Sequence, residues 1–152
     1  MSHLARLKEL GIELPSVVPP VAAYVPAVRT GNLVYTSGQL PMVKGAMAQT
    51  GLVGGAVTPD QAKELARACA LNALAAVDAL VGLDSIVRIV KVVGFVASAP
   101  GFTGQPGVVN GASELFGEVF GDAGVHARSA VGVAALPLDA PVEVELIAEV
   151  SA

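Results

Sequence analysis

The segment from Thr58 to Ala97 restricts the possible fold more than any other part of the chain. Thr58-Pro59-Asp60-Gln61 is a capping box. A threonine caps the helix, proline takes the first helical position where its missing N–H does no harm, and glutamine can reach back to the cap. Alanine and leucine then dominate to Leu80, which predicts a long helix, and Gly82 is placed to end it. Ile86 to Ala97 follows directly and is rich in β-branched residues, so it reads as a strand. Its apolar side chains fall on both faces, which predicts a central strand covered on both sides.

The flanks extend this helix–strand unit. His3 to Leu10 has helical spacing, with Leu4, Leu7 and Leu10 on one side and Gly11 and Pro15 as stops. Pro15 to Pro20 reads as an extended arm. The boundaries implied are an N-terminal helix and arm over 1–20 and a single domain over 21–152. Strands are expected at Tyr24–Arg29 and Leu33–Ser37 about the turn Thr30-Gly31-Asn32, followed by a glycine-rich loop over Gly38–Gly55 with room for one short strand. After a loop at Pro100–Pro106, Val108–Phe120 predicts a second helix ended by Gly121. Arg128–Ala135 and Val142–Val150 then predict a closing hairpin across Leu136–Pro141. The result is an α+β domain: a mixed sheet with both long helices on one face.

This reading leaves much apolar surface to place. Of the 152 residues 53% are hydrophobic and 14% charged, and the mean hydropathy is +0.66. The most apolar run, Ala68–Leu83, contains Asn72 and Asp78 and falls short of the roughly 20 apolar residues a membrane crossing needs. A subunit interface is the expected sink, because obligate interfaces resemble a core cut in half. No signal peptide is visible, since Arg6, Lys8, Glu9 and Glu13 interrupt the N-terminus. The lone Cys69 gives no support for an oxidising compartment, so a cytoplasmic location is expected. A net charge of −4 with nine scattered basic residues argues against nucleic acid as a partner.

Several candidate motifs are better explained structurally. Gly51, Gly54 and Gly55 precede a helix, but no Lys-Ser or Lys-Thr follows them as a phosphate loop requires. Cys69 lies among alanines as a small core residue. His3 and His126 lack neighbours at metal-ligand spacing, so no metal is expected, and no nucleophile elbow is present. Arg128 is sharper. It opens an otherwise small, apolar strand, so its guanidinium must be paired or must face a wet pocket. A structural ion pair with Glu145 or Glu149 and a fork for a ligand carboxylate are both open. Glu143, Glu145 and Glu149 share one face of the last strand, the usual mark of a solvated face.

Gly31-Asn32-Leu33-Val34-Tyr35-Thr36-Ser37-Gly38-Gln39-Leu40-Pro41 resembles the N-terminal signature of the RidA/YjgF family of enamine/imine deaminases. Ala127-Arg128-Ser129-Ala130-Val131, Leu136-Pro137 and Val142-Glu143-Val144-Glu145 resemble its C-terminal signature. The resemblance spans about Ala22 to Glu149, and Val92–Val96 and Val109-Asn110 fit between. Ala130 stands where many members carry a cysteine, and Ala22-Ala23 precede Tyr24 in place of the usual Gly-Pro.

The resemblance implies a chorismate-mutase-like subunit and a homotrimer with ligand sites between neighbours. It also implies residue roles. Arg128 would grip the substrate carboxylate, Gly38 would offer backbone contact, Tyr24 and Asn110 would line the pocket, and Glu143 would serve water or proton transfer. The implied reaction is cofactor-free hydrolysis of 2-aminoacrylate-type imines to keto acids and ammonia. A non-catalytic carboxylate-binding oligomer and an endoribonuclease are the other functions such a chain could have. In a regular closing hairpin Arg128 would pair near Glu149 and Glu143 near Ala134. The two would then be on the order of 20 Å apart, so one site could use both only by combining two subunits.

Overall fold

A computed structural model describes residues 1–17, 20 and 22–152. The arm expected at Pro15–Pro20 falls partly outside the described residues. The elements in order are α1 (His3–Glu9), β1 (Ala27–Thr30), β2 (Leu33–Thr36), β3 (Met42–Val43), β4 (Ala46–Met47), α2 (Pro59–Val81), β5 (Ile86–Ala97), α3 (Gln105–Phe120), β6 (Ala127–Val133) and β7 (Val142–Val150).

Helix α2 forms as its sequence dictates. The Thr58 side chain accepts from the Gln61 amide at 3.2 Å, and the Thr58 amide donates to Gln61 Oε1 at 3.0 Å. Such a cap contributes about 1 kcal/mol. The chain leaves the helix at Gly82 with φ 81°. Ala62, Ala66, Cys69, Ala70, Ala73, Leu74 and Val77 are wholly buried on its inner stripe. At Gly111 of α3 a methyl group would overlap the carbonyl oxygen of Lys63 on α2, so the helices meet backbone to backbone there.

Both long helices cover one face of a five-stranded sheet ordered β1-β2-β7-β5-β6, and β3 and β4 form a small separate hairpin. Neighbours run antiparallel except β5 and β6, which are parallel and joined through α3. Parallel pairing requires such a long crossover. Val142, Val144, Leu146, Ala148 and Val150 of β7 point into the helices and are at most 2% exposed. Each buried valine or leucine of this kind contributes roughly 1.5–3 kcal/mol.

Three expectations are corrected. The final strands do not form a hairpin, because β5 lies between them. Leu136–Pro141 is too long and too proline-rich for a tight turn, and the long apolar β5 takes the central slot and pairs with both strands. Arg128 therefore sits opposite Val92 rather than Glu149, and Glu143 opposite Phe95 rather than Ala134. Strand β1 starts at Ala27, not Tyr24, since Pro26 has no N–H to donate to a ladder. Finally, among the described residues β5 is covered on one face only. On the other face Val28, Tyr35 and Val131 are 51%, 39% and 43% exposed.

Helix α1 is fastened to the rest of the chain. Leu7 is buried, His3 Nε2 lies 2.8 Å from the Ile86 carbonyl oxygen, and the His3 ring meets Phe120 edge-on. Among the described residues, no helix is long and apolar enough to cross a membrane.

Candidate functional site

The sequence-predicted residues gather into two groups. In the first, Tyr24, Gly38 and Glu143 line one groove of about 380 Å³, together with Leu40, Met42 and Leu138. Gln39 fixes this arrangement by exchanging backbone hydrogen bonds with Val144 at 2.8 and 3.0 Å, which continues the β2 edge along β7. Gly38 is thereby pressed against Glu143, where a methyl group would overlap Oε1. Only glycine leaves that carboxylate room. Ser37 ties down the approach to Tyr24: its hydroxyl donates to the Val25 carbonyl at 2.6 Å and its amide to that of Pro26 at 2.8 Å. The Tyr24 ring remains 50% exposed.

Glu143 is half-buried, and that burial raises its carboxyl pKa above the ordinary value, with the neighbouring charge of Glu145 adding to the effect. A carboxylate shifted in this direction gains strength as a base. Cys69 lies beneath, fully buried, donating its S–H to the Val142 carbonyl at 3.7 Å. Burial first and Glu143 second push its thiol well up, so it is an unreactive core residue.

Arg128 and Asn110 form the second group. Arg128 is on the edge strand β6, paired with the core residue Val92, and its side chain reaches α3 on the helix-covered face. Its Nη1 donates to Asn110 Oδ1 at 2.8 Å and to Ser113 Oγ at 3.2 Å, and Nη2 donates to the Pro106 carbonyl at 3.4 Å. All three partners are neutral. Among the described residues the ion pairs are Arg6–Glu9, Lys63–Glu114 and Arg67–Glu118, and none involves Arg128. The structural pair with Glu145 or Glu149 is therefore absent. Those glutamates project from the opposite face of the sheet.

The two groups are separate within one chain. Arg128 and Glu143 lie on strands flanking β5, three residues out of register along it and on opposite faces.

A family model described as Endoribonuclease L-PSP matches residues 15–150. The chain belongs to this family, also known as RidA/YjgF. It is 44% identical over 149 residues to Protein TCP17 of Trypanosoma cruzi, spanning 97% of this chain and 93% of that protein. Among solved structures, the protein Atu1372 of Agrobacterium tumefaciens, of unknown function, is 49% identical with a TM-score of 0.90, covering 98% of this chain and 92% of that one. The YjgF gene product of E. coli is 33% identical with a TM-score of 0.65, covering 88% and 93%.

This RidA/YjgF chain holds its arginine with residues the sequence reading passed over. Ser113 bonds Arg128 directly and His126 lies 2.8 Å from Ser113 Oγ through Nε2, and both carry a sequence signal. Ser113 follows Asn110 by one helical turn, so both present the same side of α3. His126 precedes Arg128 by two residues in extended chain, which directs both side chains to one face.

Proposed function

We propose that this protein hydrolyses small carboxylate-bearing imines to keto acids and ammonia, as a cyclic homo-oligomer, most simply a trimer. Each site would combine the Arg128–Asn110 group of one copy with the Tyr24–Gly38–Glu143 group of its neighbour. One observation carries this reading: Arg128 is a partly buried guanidinium held in place by neutral groups alone. A cation so placed lacks a counter-charge that a ligand carboxylate would supply in two-pronged fashion. The uncovered sheet face with Val28, Tyr35 and Val131 supports association, since large exposed apolar patches mark interaction surfaces.

In this scheme Arg128 anchors the carboxylate and so fixes the adjacent C=N carbon. Water adds to that carbon while Glu143 takes one of its protons. The proton passes to nitrogen; Glu143 then takes the hydroxyl proton as the C=O forms and the C–N bond breaks, and the departing ammonia takes up that proton as ammonium. An iminium and one water thus yield one keto acid and one ammonium ion. Positioning and proton transfer are all the chemistry demands, because a protonated C=N carbon is already electrophilic. A cytoplasmic location goes with this reading, as the lone buried thiol needs no oxidising compartment.

The test is ammonia release from 2-aminoacrylate generated in the assay, with light scattering on the same sample. Accelerated release by an oligomer is expected. A monomer at micromolar concentration, or release at the uncatalysed rate, would sink the proposal. Keto-acid binding without turnover would instead favour the non-catalytic carboxylate-binding oligomer. The family's description also raises RNA cleavage. The pairing of Arg6, Lys63 and Arg67 with glutamates counts against a phosphate-tracking surface.

A further inference from the structure

Behind Arg128 runs a chain of hydrogen bonds whose direction can be worked out from its far end. His126 Nδ1 lies 2.6 Å from the carbonyl oxygen of Gly124, which can only accept. Nδ1 therefore carries the ring proton, and in the neutral imidazole Nε2 is left as an acceptor. Ser113 Oγ lies 2.8 Å from Nε2, so the serine hydroxyl must donate to the histidine. That leaves lone pairs on Oγ to receive Arg128 Nη1 at 3.2 Å. The sequence of donors runs Arg128 to Ser113 to His126 to Gly124.

Both ends of the chain are anchored. Gly124 packs so tightly under the end of α3 that a methyl group would overlap the Phe116 carbonyl oxygen, so its own carbonyl is held in place. The His126 ring stands edge-on to Phe116, with centroids 5.8 Å apart. At the other end, Asn110 and Ser113 together use both hydrogens of Nη1. The Nε hydrogen has no partner among the described residues, and Nη2 has only the long contact to Pro106. Nε and Nη2 form the side edge of the guanidinium, one of the two edges that match a carboxylate bidentately.

We infer that His126 is a positioning residue for Arg128, acting through Ser113, and that this relay presents the Nε–Nη2 edge to a ligand carboxylate. The inference rests on the carboxylate-binding reading of Arg128 and goes further by assigning what orients the arginine and which edge it offers. With Nε2 as acceptor, the Ser113 hydroxyl proton is fixed on His126 and its lone pairs are turned toward Arg128. Without it the hydroxyl is free to rotate, and the arginine loses a fixed contact.

The test is pyruvate titration of the intact protein and of Ser113→Ala, His126→Phe and the double variant, with Tm recorded for each. Phenylalanine keeps the ring on Phe116 but removes the acceptor. Each single variant is expected to bind pyruvate about 10-fold more weakly with Tm within a few degrees of the parent, and the double variant no worse than either, because the residues act as one unit. His126→Gln, whose Oε1 can take the place of Nε2 as acceptor, should recover most of the affinity. In imine hydrolysis the loss should fall on KM, with kcat within about twofold, as expected when uniform binding is removed. Nitrogen-15 NMR of the histidines should show His126 protonated at Nδ1. Multiplying losses, unchanged affinity in both single variants, or a proton on Nε2 would overturn the relay while leaving Arg128 as a carboxylate site. A parent that does not bind pyruvate would overturn both.

Discussion

Arg128 and Glu143 sit on opposite faces of one sheet, on strands flanking β5, opposite Val92 and Phe95 respectively. Two strand spacings and three residues of offset put their backbones roughly 10 Å apart in each direction, with the sheet itself between the side chains. One chain cannot bring them to one small ligand. Mixing two inactive variants tests whether neighbouring copies do. Arg128→Ala and Glu143→Gln should each be nearly inactive alone. Co-assembled at equal amounts in a cyclic oligomer, a half chance of a good arginine side times a half chance of a good glutamate side restores about a quarter of the activity. Failure of mixed oligomers to regain activity would place the two residues in separate functions.

Gly38 is the most sensitive backbone position of the Glu143 group. In Gly38→Ala the new methyl would occupy the space of Glu143 Oε1. The carboxylate must swing away or the β2 edge must shift, a form of overpacking that costs roughly 1–3 kcal/mol. Imine hydrolysis should fall further than stability does, because the displaced group is the proposed base. Pyruvate binding through Arg128 of a neighbouring copy should fall less. A variant with parental kcat would remove Glu143 from the chemistry.

The raised pKa of Glu143 has a consequence for stability with a definite sign. Burial, with Glu145 in support, lifts it from the ordinary 4.5. Between 4.5 and the raised value the folded chain keeps a proton that the unfolded chain has released. This group's contribution to stability is therefore full below 4.5 and is lost as pH rises through the folded-state value. Glu143→Gln cannot lose that proton. Its Tm should match the parent in acid and exceed it above the raised value. Parallel Tm curves for the two proteins across this range would show that the carboxylate is not shifted.

The local elements were legible because local physics sets them. The Thr58 capping box, the stop at Gly82 and the β-branched run Ile86–Ala97 each determined their own structure. Strand order was not legible in the same way. The length and prolines of Leu136–Pro141 argue against a tight hairpin but do not reveal that β5 will lie between β6 and β7, because that choice depends on which strand best fills the centre of the whole sheet. The error reached the site. Arg128 was placed beside Glu149, when its real neighbours, Asn110 and Ser113, come from α3 far back in the chain. Apolar residues on both faces of β5 suggest cover on both sides, yet the described residues supply it on one, and an interface would have to supply the rest.

Arg128→Ala separates a structural arginine from a ligand-binding one. A buried ion pair that loses one partner strands a charge and costs roughly 3–5 kcal/mol. Among the described residues Arg128 has no such partner; truncation releases Asn110 Oδ1, Ser113 Oγ and the Pro106 carbonyl, all neutral and within reach of water at a half-exposed edge. A net loss of about 1 kcal/mol is expected, since hydrogen bonds of this kind exchange for bonds to solvent. The variant should therefore fold, assemble and melt within a few degrees of the parent while losing pyruvate binding and imine hydrolysis. Arg128→Lys should recover little, because an ammonium cannot span both carboxylate oxygens as the Nε–Nη2 edge does. Calorimetry and pyruvate titration on the same samples decide the matter: a collapsed Tm would mark Arg128 as structural, and parental affinity would remove it from the ligand site.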